Sequence, residues 1–234
     1  MRKIITTTHR CDGFGAQYIA FISALAKARR ENFIYRHTPI KHLGHFSRST
    51  KACEKANDFI GMKSDEADDP KRMHNLADDF FNPPLFQGAV EYYTEEVLSE
   101  IREMYYSNPK PKPCKYDVAI HIRRGDITNR HTDRWIPNAD YVKYIKAIKR
   151  KHPDYSICVY SEGEIENFKA LEREGVFFKL NTSIFRVFHD FVTAKVLLIA
   201  PSAFSYTAAL LSLNTIYYIK LPMSKMRRWK AIKM

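Results

Sequence analysis

The second half of the chain alternates short runs of β-branched and aromatic residues with amphipathic helical patterns. This alternation is typical of βαβ units, in which helices cover both faces of a parallel sheet. We therefore predict an α/β fold with a doubly wound, Rossmann-like parallel sheet and right-handed crossovers. The predicted strands are residues 117–122, 155–162, 176–180, 197–202 and 215–221, and the predicted helices are residues 137–152, 163–175, 183–196 and 203–213.

The first half is less regular and predicts a small α/β part. Residues 108–115, NPKPKPCK, are Pro-rich and stiff, and they are the best candidate for a linker. We therefore divide the chain into residues 1–110 and residues 111–234. The expected elements of the first part are a strand at 3–8, helices at 15–32 and 92–107, and short helices and loops within 40–85.

Two adjacent arginines, Arg123 and Arg124, follow the first predicted strand of the second half, with His121 just before them and Asp126 just after. Ligands of doubly wound sheets bind outside the carboxyl ends of the strands. The planar guanidinium group matches phosphate oxygens two at a time, so this pair indicates an anion site. The alternative is that Asp126 neutralises one arginine as a structural pair.

Two further strand-to-helix turns are suited to anions. The first is CDGFGAQ, in which Gly13 and Gly15 flank Phe14; the second carries Ser202 and Ser205. Helix N-termini offer free N–H groups and the positive end of the helix dipole. Either turn could instead only connect its elements, and Ser202 could be a simple N-cap. The glycine turn is neither the dinucleotide fingerprint nor a P-loop.

The charge balance also favours anionic partners. Lys and Arg exceed Asp and Glu by 12, and the pI is about 9.5. A nucleic-acid-binding module would need aromatic side chains interleaved with cations on an open face, and most aromatics here fall at buried positions, so we regard nucleic acid as an unlikely partner. We expect no membrane span, because the longest apolar runs are too short. The N-terminus has no apolar segment typical of a signal peptide. The four cysteines show neither a CxxC pair nor metal-ligand spacing, so we expect free thiols in a reducing compartment and therefore a cytoplasmic protein.

Four segments together resemble the α1,2- and α1,6-fucosyltransferase family. VAIHIRRGD resembles the H-x-R-R-x-D signature, and DGFGAQYIAFISALAKA resembles the G-x-G-N-Q turn and its helix. ICVYSEGEIENF resembles the segment that commonly reads F-S-D-D, and HDFVTAKVLLIAPSAFSYTAALL resembles the last motif with its Ser-Phe-Ser turn. Their order and approximate spacing agree across residues 10–30 and 115–215.

The resemblance implies a GT-B-like fold and an inverting, metal-independent transfer of fucose from GDP-fucose to a glycan acceptor. It implies that the catalytic residues are Arg123, which holds the β-phosphate, and Arg124, which supports the site. Asp126 would orient the arginines. The remaining donor-binding residues would be His121 and Asp190 at the guanine, and Gly13, Phe14, Gly15, Ser202, Phe204 and Ser205 around the diphosphate.

The chain departs from this pattern at three places. Ala16 replaces the usual Asn, Glu162 and Gly163 replace the F-S-D-D acids, and Tyr206 and Thr207 replace an aromatic pair. The first departure keeps open a protein that binds GDP without turnover. A metal-dependent transferase would need D-x-D after a strand, whereas we interpret Asp68–Asp69 and Asp78–Asp79 as solvated surface. The general base, the acceptor and the oligomeric state are not indicated.

Overall fold

The computed structural model describes residues 2–8, 11–44, 49–65, 73–75, 89–130, 134–219 and 223–232, with only the backbone for 73–75 and 89. The chain divides into two compact units, Met1–Lys110 and Pro111–Met234. The division falls inside the Pro-rich segment 108–115. Each unit contains its own parallel sheet.

The first unit is built on three parallel strands in the order β2-β1-β3. Helix α1 follows β1 directly, and its 17 residues are mostly buried. The strands are β1 (Ile4–Thr6), β2 (Ile34–Tyr35) and β3 (Met73–Asn75), and the helices are α1 (Phe14–Arg30), α2 (Thr50–Ile60), a 3-10 turn (Ala89–Tyr92) and α3 (Glu95–Tyr106).

The ends of α2 and α3 follow from local sequence. Gly61 ends α2 in the left-handed conformation, with φ of +65°. A Cβ added there would lie 2.1 Å from the carbonyl oxygen of Met104 in α3, so only glycine allows the two helices to approach this closely. Thr94 caps α3 by accepting a hydrogen bond from the backbone N–H of Val97.

The second unit contains six parallel strands in the order β6-β5-β4-β7-β8-β9. The α/β fold with a doubly wound parallel sheet is therefore as predicted. The strands are β4 (Val118–His121), β5 (Ile157–Ser161), β6 (Phe177–Leu180), β7 (Val196–Ile199), β8 (Thr215–Tyr218) and β9 (Lys230–Ala231). The helices are α4 (Asn138–Lys151), a 3-10 turn (Ile165–Phe168), α5 (Lys169–Glu172), α6 (Ile184–Thr193) and α7 (Ala203–Leu211).

The chain order of the strands reverses between β4 and β7. From β4 the chain builds outward through β5 to β6, and then returns to place β7 on the other side of β4. Every residue of β4 and β7 is buried, as expected for central strands covered on both faces. In open α/β sheets of this 3-2-1-4-5-6 order, the point of reversal leaves a crevice at the carboxyl ends of the strands, where ligands bind.

Two predicted helices differ from the structure. The segment 163–175 forms a 3-10 turn followed by the four-residue α5, although Gly175 does adopt a left-handed φ of +64° at its end. The helix expected at 183–196 ends at Thr193, because Ala194 is extended and Val196 already pairs with Thr215 in the sheet.

No helix in the ranges given above has both the length and the apolar character needed to cross a bilayer.

Candidate functional site

Two of the three predicted anion turns follow neighbouring strands. β4 ends at His121 and leads to the arginine pair, and β7 ends at Ile199 and leads through Ser202 into α7. The two strands pair in register, with Ile120 opposite Leu198. The sequence could not show this adjacency, because His121 and Ile199 lie 78 positions apart along the chain and the strand order is set by tertiary packing.

Arg123 and Asp126 form an ion pair across a tight turn. The turn contains Gly125 with φ of +77°, a conformation that glycine adopts readily. The side chains of Arg123 and Asp126 are 23% and 33% exposed, so the guanidinium group is held in place and still reaches solvent. The prediction that Asp126 orients an arginine fits this geometry for Arg123.

Arg124 lies in a different environment from its neighbour. Its two terminal nitrogens donate to the carbonyl oxygens of Arg123 (2.8 Å) and Ile136 (2.9 Å) and to Asn138 Oδ1 (2.6 Å). The guanidinium carbon also lies 3.8 Å from the ring centre of Trp135. Burial lowers the pKa of Arg124, and the residue is 9% exposed. These contacts hold the segment between β4 and α4, and they leave the guanidinium group of Arg124 less exposed than that of Arg123.

His121 is a buried neutral imidazole at the end of β4. Burial, with smaller contributions from Arg123 and Arg124, lowers its pKa to about 3. Its ring packs 5.3 Å from Phe191 and 6.0 Å from Phe204 between ring centres. Within the described residues its Nδ1 is buried without a hydrogen-bond partner. It is one of ten such buried side-chain atoms in the described residues, so it leaves room for a ligand or a water at this strand end and does not by itself mark a site.

The turn after β7 is stabilised by hydrogen bonds from its own serine side chains to its backbone. Ser202 Oγ accepts a hydrogen bond from the N–H of Phe204 at 3.3 Å, so its role as an N-cap is realised. Ser205 is fully buried, and its hydroxyl donates to the carbonyl of Ala200 at 3.4 Å. In this arrangement Ser205 stabilises the turn. Ser202 and Phe204 are both partly exposed, so these two residues are accessible to a diphosphate.

Asp190 is a buried carboxylate in α6 that is paired with cationic side chains. The carboxylate is 0% exposed and lies within hydrogen-bond or ion-pair distance of Tyr160 Oη (2.9 Å), Lys179 Nζ (2.8 Å) and Arg186 Nη2 (2.7 Å). The carboxylate is thus paired with two cations and a phenol. Like His121 Nδ1, Asp190 Oδ1 is buried without a hydrogen-bond partner within the described residues, although it lies in an ion pair with Arg186. The contact of Asp190 with guanine stays a prediction.

The third anion turn belongs to the first unit and is described with it. Gly13 precedes α1 in an extended conformation, and its carbonyl accepts from the N–H groups of Ala16 and Gln17. Phe14 and Gly15 form the first turn of α1 and are buried. The Gln17 amide donates to the carbonyls of Asp12 and His42, both at 2.7 Å. The Gln17 side chain thus ties the start of α1 to residues 12 and 42.

Positive charge is concentrated in the second unit. It carries 22 Lys and Arg residues against 11 Asp and Glu residues, a net charge of +11, whereas the first unit has a net charge of +1. The whole-chain charge of +12 hides this asymmetry, although counting residues on either side of the predicted linker would have revealed it. The unit with the arginine pair is therefore the one suited to an anionic ligand.

Metal binding is not resolved by the structure. In the ranges that the structure covers, no group of three or more His, Cys, Asp or Glu side chains is placed to hold a metal ion. The acidic pairs Asp68–Asp69 and Asp78–Asp79 lie outside the described residues, so their interpretation as solvated surface, and with it metal independence, stays a prediction.

No protein-family model matches the chain, and no curated protein matches it at a significant level. Solved structures with a similar arrangement include E. coli heptosyltransferase WaaC with ADP-2-deoxy-2-fluoro heptose, at 12% identity, covering 94% of this chain and 88% of that chain with a TM-score of 0.46. Fucosyltransferase NodZ from Bradyrhizobium matches at 11% identity over 91% of this chain and 94% of that chain, with a TM-score of 0.43.

POFUT1 in complex with GDP matches at 11% identity over 93% of this chain and 98% of that chain, with a TM-score of 0.47. The identities and TM-scores are low, so the interpretation of the site rests on this chain's own residues.

Proposed function

We propose that this protein is a glycosyltransferase that binds a nucleoside diphosphate sugar at the carboxyl edge of its six-stranded sheet. The observation that carries the proposal is the adjacency of β4 and β7 at the point where the strand order reverses. The H-x-R-R-x-D segment and the Ser-Phe-Ser turn, recognised separately in the sequence, end these two strands. Ligand sites in doubly wound sheets form at such points.

Two features of this edge support the binding of a diphosphate. Arg123 is held by Asp126 and partly exposed, so its planar group can bind two phosphate oxygens at once. The N-terminus of the nine-residue α7 begins at Ser202, beside the end of β4, and adds the positive end of a helix dipole. Negative charge grows on the leaving diphosphate during transfer, and a cation fixed in advance stabilises that charge.

The donor in this proposal is GDP-fucose, and the acceptor is a hydroxyl group of a glycan. The acceptor oxygen bonds to the anomeric carbon as the bond from that carbon to the β-phosphate oxygen breaks, with inversion and with no metal ion in the reaction. GDP leaves with the bonding electron pair, and the hydroxyl proton is released to water. The four-motif resemblance supports this choice of donor. His121 is the residue proposed to face the guanine, because its buried Nδ1 lacks a partner within the described residues. Asp190 is the second residue proposed for the guanine, since its buried Oδ1 also lacks a hydrogen-bond partner within the described residues.

A second candidate is a protein that binds the nucleotide sugar without transferring the sugar. Ala16 favours it, because the carboxamide expected at this position is missing from the glycine turn. The neighbouring Gln17 cannot substitute, since its amide is committed to Asp12 and His42. The two candidates predict the same nucleotide binding and differ only in turnover.

The test combines binding with turnover. GDP and GDP-fucose should raise the melting temperature, since a ligand that binds only the folded state stabilises it, and UDP should raise it much less. Release of GDP from GDP-fucose, with water or a glycan mixture as acceptor, should be detectable. Arg123→Ala should reduce both effects.

Lys195→Ala is the matched control, because Lys195 pairs with Asp117 at the opposite, amino edge of the sheet and is largely exposed. It should leave both binding and GDP release unchanged. Binding without GDP release would favour the second candidate. Equal shifts with GDP and UDP would refute the guanine assignment, and the absence of any shift with GDP, UDP or ADP would refute the proposal itself.

A further inference from the structure

Glu162 follows β5 directly, at the carboxyl end of the strand next to β4. The ends of these strands are tied together, because Ser161 Oγ donates to the carbonyl of Ile122 at 3.0 Å and the N–H of Ile122 donates to the carbonyl of Tyr160 at 3.0 Å. Glu162 therefore leaves the sheet beside the segment that carries the arginine pair. It is partly exposed.

The Glu162 carboxylate lies against the turn that carries Arg123 and Asp126. A Cβ added to Gly125 would lie 1.9 Å from Glu162 Oε2 and 2.9 Å from its carboxyl carbon. The glycine thus serves two purposes: it adopts the positive φ of the turn, and it makes room for the carboxylate. A charged group in this position lies within the proposed nucleotide site.

The residue after Glu162 is also fixed. Gly163 and Asn181 exchange two hydrogen bonds, from Gly163 N–H to Asn181 Oδ1 (3.0 Å) and from Asn181 Nδ2 to the Gly163 carbonyl (3.1 Å). Gly163 has φ of +111° and Asn181 has φ of +51°, so both strand ends adopt uncommon conformations to make this contact. With Ser161 bonded on one side and Gly163 on the other, the backbone of Glu162 is held in place before any ligand binds.

The chemistry of a carboxylate limits what it can bind in such a site. An ionised carboxylate only accepts hydrogen bonds, so it repels phosphate and favours donors such as hydroxyl groups. The two hydroxyls of a ribose are a suitable pair of donors, and they lie beside the diphosphate in a nucleoside diphosphate. In dinucleotide-binding sheets of the same strand order, an acidic side chain accepts from the ribose 2′-hydroxyl.

We propose that Glu162 binds the ribose hydroxyls of the nucleoside diphosphate and so selects ribonucleotides over deoxyribonucleotides. This inference rests on the proposed function, since it takes the nucleotide to lie at the end of β4. The structural alternative is that Glu162 only supports the Gly125 turn. That alternative predicts no preference between the two sugars.

The experiment measures the dissociation constants of GDP and 2′-deoxy-GDP by calorimetry for the wild-type protein, Glu162→Gln and Glu164→Gln. The wild type should prefer GDP by about 10- to 100-fold, the size expected for a hydrogen bond to a charged group. Glu162→Gln should reduce this preference to about threefold or less, because a neutral amide oxygen is a weaker acceptor. Glu164 is exposed two residues away, so Glu164→Gln should keep the wild-type preference.

Each outcome bears on one of the two proposals. A wild type that binds both nucleotides equally would overturn the role of Glu162 and leave the proposed function standing. The same holds if Glu162→Gln keeps the full preference, or if it weakens both nucleotides equally. A wild type that binds neither nucleotide would overturn the proposed function and this inference together. The comparison within the wild type needs no variant, so equal binding of the two nucleotides would overturn the role of Glu162 even if Glu162→Gln folds poorly.

Discussion

Asp126 forms an ion pair with Arg123, three residues earlier in the same turn, and both side chains remain partly exposed. Ion pairs that solvent reaches contribute only about 0 to 1 kcal/mol to stability. The pair therefore fixes the direction of the guanidinium group without being needed for folding. Arg124, the next residue, is buried against backbone carbonyls and an indole ring. Two adjacent arginines thus have opposite expected roles, and substitutions can separate them.

The first prediction concerns Arg123→Lys. Lysine keeps the charge and loses the planar group, so it cannot bind two phosphate oxygens in the same geometry. Turnover of GDP-fucose should fall by about 10² or more, the size typical of removing one preorganised transition-state donor. The melting temperature should change little, because the side chain is partly exposed. Initial rates and thermal unfolding of the same preparation measure both quantities.

A stable variant with near-normal turnover would contradict the assignment of Arg123 to the diphosphate. Asp126→Asn is the companion variant, since it removes the charge partner and leaves the guanidinium group in the turn. We expect it to lower turnover less than Arg123→Lys does.

The second prediction compares two glycines that share a left-handed conformation. Gly125 has φ of +77° and a side-chain oxygen 1.9 Å from an added Cβ, whereas Gly175 has φ of +64° and nothing within 4 Å. Gly175→Ala should cost about 1 kcal/mol of unfolding free energy from backbone strain alone. Gly125→Ala should cost more, and it should also weaken GDP binding because Glu162 must move. Urea unfolding and calorimetry measure the two effects, and equal behaviour of the two variants would be evidence against the contact between Gly125 and Glu162.

The strands of the second unit could be predicted because each is a short, nearly continuous run of apolar residues. β9 could not, because it is two residues long and exposed. The tail that carries it is held by contacts distant in sequence: Trp229 packs on Tyr206, and Arg228 donates to carbonyl groups at the end of α7. For α2, the sequence predicts only short helices and loops within residues 40–85, without the bounds of the helix.

The candidate site was predictable in its residue types and only partly in its arrangement. The arginine pair, the serine turn and their strand ends are local features of the sequence. The partners of Arg124 are Ile136 and Asn138, 12 and 14 residues later, and no spacing rule indicates them. The burial of Asp190 depends on Lys179 and Arg186, which reach it from β6 and from one turn earlier in α6. Such contacts arise from packing, so sequence patterns do not show them.

The third prediction concerns pH and His121. Its pKa in the folded protein is lowered to about 3, against about 6.5 in an unfolded chain. The unfolded chain therefore takes up a proton that the folded protein does not. Stability should be constant above about pH 6.5 and should fall as the pH drops from there towards 3, at up to about 1.4 kcal/mol per pH unit for this group.

Tryptophan fluorescence is a suitable probe for this effect, because both tryptophans, Trp135 and Trp229, belong to the second unit. His121→Phe keeps an aromatic ring beside Phe191 and Phe204 and removes the titrating group. The variant should lose most of the slope in unfolding free energy between about pH 6.5 and 4.5. His37 in the first unit, whose pKa burial lowers to about 4, should affect that unit in the same direction. An unchanged slope in the variant would be inconsistent with a buried neutral His121.

The fourth prediction is that GDP release from GDP-fucose survives EDTA. Its physical reason is that Arg123 and the N-terminus of α7 supply positive charge where a metal-dependent transferase would place a divalent cation. Rates before and after chelation, and after addition of Mn²⁺ or Mg²⁺, measure this. Complete loss on chelation with recovery on Mn²⁺ would show that carboxylates such as Asp68–Asp69 or Asp78–Asp79 hold a catalytic metal.

The last prediction concerns Arg124→Met, which keeps a long apolar side chain and removes the guanidinium group. Three acceptors lose their donor: the carbonyls of Arg123 and Ile136, and Asn138 Oδ1. The Trp135 ring loses its cation. Only the hydrogen bond to Ile136 is fully buried; the other two acceptors are partly buried and can recover water in part. An unpaired buried group costs about 1 to 3 kcal/mol, so with smaller losses at the other two acceptors the unfolding free energy should fall by about 2 to 4 kcal/mol. Turnover at a temperature where the variant is folded should fall less than in Arg123→Lys, because Arg124 acts through the backbone of its neighbour. Chemical unfolding and rates on the two variants measure this contrast.

If Arg124→Met were as stable as the wild type and inactive, Arg124 would be the arginine that contacts the diphosphate, and the roles assigned to the pair would have to be exchanged.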